Sequence, residues 1–386
     1  MKRNPHYQLK YISGVPYLIA FGQAAADFGH DLRLNDTSLF LWNALETASS
    51  EEELVSIYMT EHNCPKEDYD NIADSVHKFV AALRHQKLLL PEEYSIPESP
   101  CVTLKIAGLF LKLYGGRECF SDKLFKFETD IDSSEPEHTQ SISIQAKTQP
   151  YNKTGKLILQ NKELYILENA NGYCLFFPAF KYITEAHLSY DGREATILCK
   201  LAQTEECKQE TFAVMQILFL YFAGLHNMIA IHSASVLYRD KTWLFSAASG
   251  VGKSTHTDLW NSVLNVPVLN GDVNLISANN GTPIVHGIPW CGTSGIATTA
   301  SYPLGGIILL QQGTDNEFTT LTDEQKLLYL LHRNISPSWT YDMQETIFNL
   351  INHICSDILI CRFKATLSEA AVSYIRDIID SYIDEN

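Results

Sequence analysis

Apolar and polar positions divide the chain into stretches of different period. Residues 7 to 34 read as short strands, with Gly14-Val15-Pro16 turning the chain between Gln8 to Ser13 and Tyr17 to Phe21. Asn35-Asp36-Thr37 then caps a helix that carries Leu39, Phe40, Trp42 and Leu45 on its apolar side. A second helix starts at Ser49-Ser50-Glu51-Glu52, where Ser49 and Glu52 have capping-box spacing. A third, after Pro65, sets Ile72, Val76, Phe79, Val80 and Leu83 at helical period. Strands followed by three short helices predict a compact winged-helix-like module.

The proline-bearing stretch from Pro91 to Pro100 reads as a linker. From Cys101 to about Leu201 the chain is β-rich, with strands expected at Ser141 to Ile144, Lys156 to Leu159, Leu164 to Leu167 and Ala195 to Leu198. Asp130 to His138 is expected as an exposed loop. A long apolar helix from about Gln209 to His226 leads into Ile231 to Tyr238, a strand joined by Arg239-Asp240-Lys241 to the strand Trp243 to Ser246. So short a link makes the pair antiparallel. Further on, Gly305 to Leu310 and Ile358 to Phe363 read as strands. Asp323 to His332, Gln344 to Cys355 and Ser368 to Tyr382 read as helices.

Ser246-Ala247-Ala248-Ser249-Gly250-Val251-Gly252-Lys253-Ser254-Thr255 lies between a strand and a helix expected from Thr255 to Trp260. Backbone N–H groups in such a loop converge on phosphate oxygens, and the helix N-terminus adds partial positive charge. In that geometry Lys253 reaches the β- and γ-phosphates and the Ser254 hydroxyl meets Mg²⁺. Ala247 stands where the full pattern has Gly, and Ala fits there only with negative φ. The antiparallel partner of the loop's strand argues against a doubly wound nucleotide fold, which would supply a helical crossover. Val266 to Gly271 is an apolar strand ending at Asp272, the expected second Mg²⁺ ligand, since Mg²⁺ takes few protein oxygens. His232 is either near the transferred group or a satisfied core histidine. His286-Gly287-Ile288-Pro289-Trp290-Cys291-Gly292-Thr293 is a turn-rich loop read as a cover for nucleotide or acceptor. Arg333 and Arg362 are read either as charge for a phosphoryl transition state or as surface and packing residues.

Composition narrows the classes. The chain has 386 residues, 45% hydrophobic and 19% charged, as an ordinary globular protein has. A formal charge of −16 argues against a nucleic-acid partner, which needs a basic face. Met1 to His6 lacks the apolar stretch of a signal peptide, and Phe212 to Ala230 is broken by Gly224, His226 and Asn227, so no membrane span is expected. Nine scattered cysteines without a C-x-x-C pair fit thiols in a reducing cytoplasm.

Two resemblances add to this reading. Gly14-Val15-Pro16-Tyr17-Leu18-Ile19, Leu34-Asn35-Asp36-Thr37, Leu41-Trp42-Asn43-Ala44-Leu45 and the closing Leu83 to Leu90 resemble the PqqD-like domain. This implies capture of the leader of a ribosomally made peptide as an added strand along Ala25 to Arg33, beside the helix ending near Arg84. The alternative is a module that only packs on the rest of the chain. Ile231-His232-Ser233-Ala234, Ser249 to Thr255, Leu269-Asn270-Gly271-Asp272 and Gly287-Ile288-Pro289-Trp290 resemble the HPr serine kinase fold group. That group shares its architecture with ATP-dependent phosphoenolpyruvate carboxykinase and includes kinases of ribosomal peptides. HPr kinases carry two adjacent aspartates where this chain has Gly271-Asp272. The general base is therefore open between Asp272 alone and Asp272 assisted by His232. The Glu and Arg of their signature loop have no match around Ile284 and His286, so action on HPr is not implied.

The expectation is an α+β protein. Residues 1–90 form a PqqD-like leader-recognition domain, 91–100 a linker, and 101–205 a β-rich region that stands alone or forms a kinase lobe. Residues 206–386 form an HPr kinase-like α/β domain with an antiparallel strand feeding the phosphate loop. The activity expected is ATP- and Mg²⁺-dependent phosphorylation of a Ser or Thr hydroxyl on a precursor peptide. The alternatives are an ATP-binding scaffold that docks other peptide-maturation enzymes and a small-molecule kinase. Catalytic roles are expected for Asp272, His232 and Lys253. Ser249, Gly250, Val251, Gly252, Lys253, Ser254 and Thr255 are expected at the nucleotide, with Ser254 and Asp272 at the metal.

Overall fold

A computed structural model describes residues 3, 7–20, 32–48, 50–86, 88–89, 99–130, 136–146, 155–200, 204–248, 250–278 and 281–385. The chain falls into two compact units, Met1–Ser95 with Ala146–Tyr151, and Ile96–Gln145 with Asn152–Asn386.

In the first unit β1 (Tyr7–Ile12), β2 (Val15–Ala20) and β3 (Leu32–Arg33) form an antiparallel sheet in that order. The hairpin turns on Ser13 and Gly14, both at positive φ, so Pro16 belongs to the strand and not to the turn. Helices α1 (Asp36–Ala44), α2 (Glu51–Glu61) and α3 (Tyr69–His85) follow. Asn35 caps α1 by accepting from the Ser38 amide at 2.7 Å. The cap of α2 is Ser50, accepting from Glu53 N at 3.2 Å, one residue after the Ser49 expected there. Leu18, Leu41, Trp42, Leu54, Val80 and Leu83 close one core. The leader-docking stretch expected from Ala25 onward lies outside the described residues up to Asp31, as does most of the expected linker.

The second unit holds two sheets. The first runs β4 (Val102–Ile106), β5 (Leu109–Tyr114), β6 (Thr139–Ala146), β11 (Glu194–Cys199), β10 (Ile183–Leu188), β9 (Gly172–Phe176), β8 (Tyr165–Asn169) and β7 (Lys156–Gln160). Its alternating positions, such as Leu109, Leu111 and Leu113, pack with Val214, Leu218 and Phe222 of α4 (Glu205–Leu225). Thr204 caps α4, which therefore starts a turn earlier than periodicity suggested.

The second sheet has nine strands. Its path is β12 (Met228–His232), β16 (Val273–Ser277), β17 (Ile284–His286), β18 (Ser301–Gln312), β14 (Lys241–Ser246), β13 (Ala234–Tyr238) and β15 (Val268–Asn270). The strands β19 (Glu317–Thr320) and β20 (Leu359–Ala365) join through β18. The first half of β18 pairs antiparallel with β17, and its second half lies parallel between β14 and β20. Helices α5 (Lys253–Leu264), α6 (Asp323–Leu331), α7 (Tyr341–Asp357) and α8 (Glu369–Glu385) complete the unit. Side chains alternate across the parallel trio. Leu244, Ile307, Leu309 and Ile360 pack with Leu330 of α6 and Ile347, Ile351 and Ile354 of α7. Phe245, Ile308, Cys361 and Phe363 pack with Trp260 of α5 and Val372, Ile375 and Ile379 of α8. A Cβ at Gly306 would come within 2.7 Å of the Trp243 ring, so glycine there lets the indole lie across the sheet. All nine cysteines are free, and no described helix is long and apolar enough to cross a membrane.

On the helix that follows the loop, His256 is buried edge-on against Phe245 and Phe363, with ring centroids 4.9 and 5.8 Å away. Its Nε2 accepts from Trp260 Nε1 at 3.2 Å, so the neutral ring carries its proton on Nδ1, which is buried without a partner. Burial pushes His256 from its ordinary value down to about 4. The unfolded chain therefore takes up the proton first, and stability falls as pH drops below about 6.5. The expected loss from this residue is about 2 kcal/mol by pH 5. His256→Phe should flatten that part of the acid slope, as read from urea midpoints at pH 7.5 and 5.0 for both proteins. Equal acid losses would assign the slope to other groups.

Candidate functional site

The hairpin β13–β14 turns on Arg239 and Asp240, both at positive φ, and delivers β14 antiparallel to β13, as the short link required. Beyond Ser246 the chain rises through Ala247 and Ala248 and reaches Gly252, the N-cap residue of α5. Gly250 (φ 80°) and Gly252 (φ 103°) take the left-handed conformations that close the loop, and Ala247 keeps out of that region, as Ala must. The helix begins at Lys253, two residues before the expected Thr255.

Amides of Gly250, Gly252, Lys253, Ser254 and Thr255 have no backbone acceptor among the described residues, as at any open helix start. The Val251 amide is engaged, donating to Ala248 O at 3.3 Å. The Ser254 side chain is exposed. Ser249 lies outside the described residues.

Lys253 is buried and folds back over the loop, its Nζ 3.0 Å from His232 Nε2 and 3.4 Å from Ala247 O. An ammonium has only protons to give, so Nε2 accepts and the neutral ring carries its proton on Nδ1. That Nδ1 lies 3.4 Å from Asp272 Oδ1. His232 thus bridges Lys253 and Asp272. Burial and the Lys253 charge hold the His232 imidazole below its ordinary value, with Asp272 pulling the other way. Burial also lowers Lys253; Asp272 counters that shift and Arg333 adds to it.

Asp272 is aimed by its neighbours. Asn270 Oδ1 accepts from the Asp272 and Val273 amides at 2.9 and 3.1 Å, and Asp272 O accepts from Ser233 N at 3.0 Å. Asn270, silent in the motif reading, is the residue that builds this turn. An Asn two residues before a strand-end Asp is the signal that marks it. A Cβ at Gly271 would stand 2.2 Å from Ser294 Oγ and 2.6 Å from its Cβ, so this backbone has no room for a second aspartate at 271. Gly292, at positive φ, passes so close that a Cβ there would meet the Asp272 carboxyl at 2.9 Å.

The stretch read as a cover reaches the site at its end, where Gly292 lies against Asp272. His286 ends β17, with Nε2 2.8 Å from Ser277 Oγ and Nδ1 2.9 Å from Ser301 Oγ. Ile288 and Trp290 are buried, the indole stacked on Phe212 and Phe219. The apolar residues between the turn formers draw this segment into the core. Arg333 and Arg362, by contrast, come to the loop. The Arg333 carbonyl accepts from His232 N at 2.9 Å, and both arginines line a cavity of about 300 Å³ beside Ser246, Ala247, Ala248 and Val251. Of the two residues expected at a metal, Ser254 is exposed at the start of α5 and Asp272 is partly exposed after β15. No cluster of three or more His, Cys, Asp or Glu suited to a metal occurs among the described residues.

No protein-family model and no curated protein matches the sequence. Among solved structures the chain is similar to the HPr(Ser) kinase/phosphatase from Coxiella burnetii, at 11% identity and a TM-score of 0.23, over 40% of this chain and 95% of that one. At that score the functional reading rests on the residues themselves.

The tight approach at residue 271 is testable. Gly271→Ala should cost about 1–3 kcal/mol, the range for overpacking, and Ser294→Gly in the same chain should restore most of it. Denaturant unfolding of the three variants measures both. Additive losses would place the obstruction elsewhere than Ser294.

Proposed function

We propose that this chain is an ATP- and Mg²⁺-dependent phosphotransferase acting on a Ser or Thr hydroxyl of a ribosomally made precursor peptide, recruited through its N-terminal unit. The observation that carries the phosphotransferase reading is the Lys253–His232–Asp272 chain beside a loop whose amides at Gly250 and Gly252 to Thr255 have no backbone acceptor among the described residues. The peptide and its leader rest on the resemblance of residues 7 to 90 to PqqD-like domains.

Bound Mg·ATP would supply the phosphoryl group and a cation to offset its charge. The protein's share is positioning and charge complementarity. The amides of Gly250 and of Gly252 to Thr255, at the α5 N-terminus, offer donors to phosphate oxygens. Lys253 is held in readiness by His232, whose Nε2 is taken by the ammonium and is not free to accept a proton from an acceptor hydroxyl. Asp272, with its side chain 38% exposed, is the carboxylate that an acceptor can reach. We therefore assign His232 to positioning and Asp272 to the proton. Holding the leader on the same chain raises the concentration of the core segment at the loop. Gly271, where HPr kinases have an aspartate, favours a second reading, a nucleotide-gated scaffold without transfer.

Lys253→Ala should abolish Mg·ATP binding measured by calorimetry while leaving the circular dichroism spectrum unchanged. Unaltered nucleotide affinity would refute the phosphate-loop reading. Asp272→Asn should lower phosphopeptide formation by about 10²–10⁴-fold, the usual worth of a general base, with a much smaller change in nucleotide affinity. Mass spectrometry of the precursor after incubation with Mg·ATP reads the added phosphate. His232→Ala should cost less than Asp272→Asn. A wild-type protein that binds ATP and leader yet never yields phosphopeptide would favour the scaffold.

A further inference from the structure

The cavity beside the loop is lined by donors. Ser246, Leu309 and Arg362 stand in register across β14, β18 and β20, which puts the Arg362 and Ser246 side chains on one face of the sheet, and the Ser246 hydroxyl donates to the His232 carbonyl. Arg362 donates from Nη2 to the Tyr329 hydroxyl, and its guanidinium carbon lies 5.2 Å from that ring's centroid. Its Nε is buried with no partner among the described residues. Because the Tyr329 oxygen accepts, its own proton remains to be given. Arg333 completes the wall, close enough for its charge to act on Lys253 and His232. Neither arginine has a carboxylate partner among the described residues, and no Asp or Glu lines the cavity. Two guanidinium groups and a phenol without a counter-charge are costly to leave half-buried unless an anion joins them.

We propose that this cavity, which borders the phosphate loop at Ser246, Ala247, Ala248 and Val251, is an anion subsite in which Arg333, Arg362 and the Tyr329 hydroxyl hold a carboxylate or phosphate group of the molecule that accepts the phosphoryl group. The identity of the occupant rests on the phosphotransferase reading; the site itself does not. Guanidinium forks match the paired oxygens of either group, so the acceptor class is one that carries an anion near its hydroxyl. An acidic side chain beside the modified Ser or Thr meets that requirement.

The test uses the full-length protein and calorimetry. Inorganic phosphate and succinate are titrated into protein saturated with Mg²⁺ and a non-hydrolysable ATP analogue, so that the loop is filled. One of the two should bind, with succinate preferred if the acceptor offers a carboxylate and phosphate if it offers a phosphoester. Arg333→Gln and Arg362→Gln should each weaken that binding at least tenfold while analogue affinity changes less than threefold. Lys253→Ala should do the reverse. Arg333→Lys and Arg362→Lys, which keep the charge, should recover part of the affinity and guard against misfolding of the Gln variants. Failure of both anions to bind the loaded protein, or equal binding by the Gln variants, overturns the subsite and leaves the phosphotransferase reading standing. If the analogue does not bind wild type, that reading fails instead, and anion titration of the protein alone against the Gln variants still decides the subsite.

Discussion

A buried ammonium sets the terms for the loop between β14 and α5. Lys253 loses much of its hydration, and a cation so placed needs acceptors in fixed positions. His232 supplies the nearest one, and every polar group of that histidine is committed. Its amide goes to Arg333 O, its carbonyl to Ser246 Oγ, Nε2 to Lys253 and Nδ1 to Asp272. Four residues from three stretches of the chain thus meet on one residue at the end of β12. A change at any of them moves the imidazole, and with it the charge that the loop presents.

Much of the framework was legible because its signals are local. The β13–β14 hairpin follows from a three-residue link, and the helix caps at Asn35 and Ser50 follow from side chains that outcompete water for free amides. The one-residue error at Ser50 arose because two adjacent serines offer the same hydroxyl. Strands without alternation were harder: β9 is buried at all five positions, so no polar face marks it. The three-residue strands β15 and β17 exist only through their partners.

The site divides in the same way. Lys253 and the glycines around it belong to one contiguous pattern, and Asp272 is marked by ending an apolar run. Nothing local says that Arg333, about a hundred residues after His232, will hand it a carbonyl, or that Arg362 will stand in register with Ser246. Those meetings are made by strand pairing across the chain. In the turn-rich stretch after His286, glycine and proline signal a bend and say nothing of burial. Ile288 and Trp290 then decided its place.

The twelve-residue strand β18 has a consequence for how the protein is made. The loop's strand β14 ends at Ser246, but its parallel neighbour begins at Ser301, and the strand beyond that at Leu359. Contacts of such long sequence separation form late, since loop closure must precede the pairing that rewards it. On a ribosome adding about 5–20 residues each second, β14 would wait several seconds as a bare hairpin edge before β18 and β20 emerge. During that interval Phe245 has β13 and Trp260 of α5 to pack on, but the other edge of β14 is unpaired and Leu244 lacks the helices that cover it. The loop after β14 is thus among the last parts of the nascent chain to take shape, and the hairpin below it is where a chaperone would have most to shield.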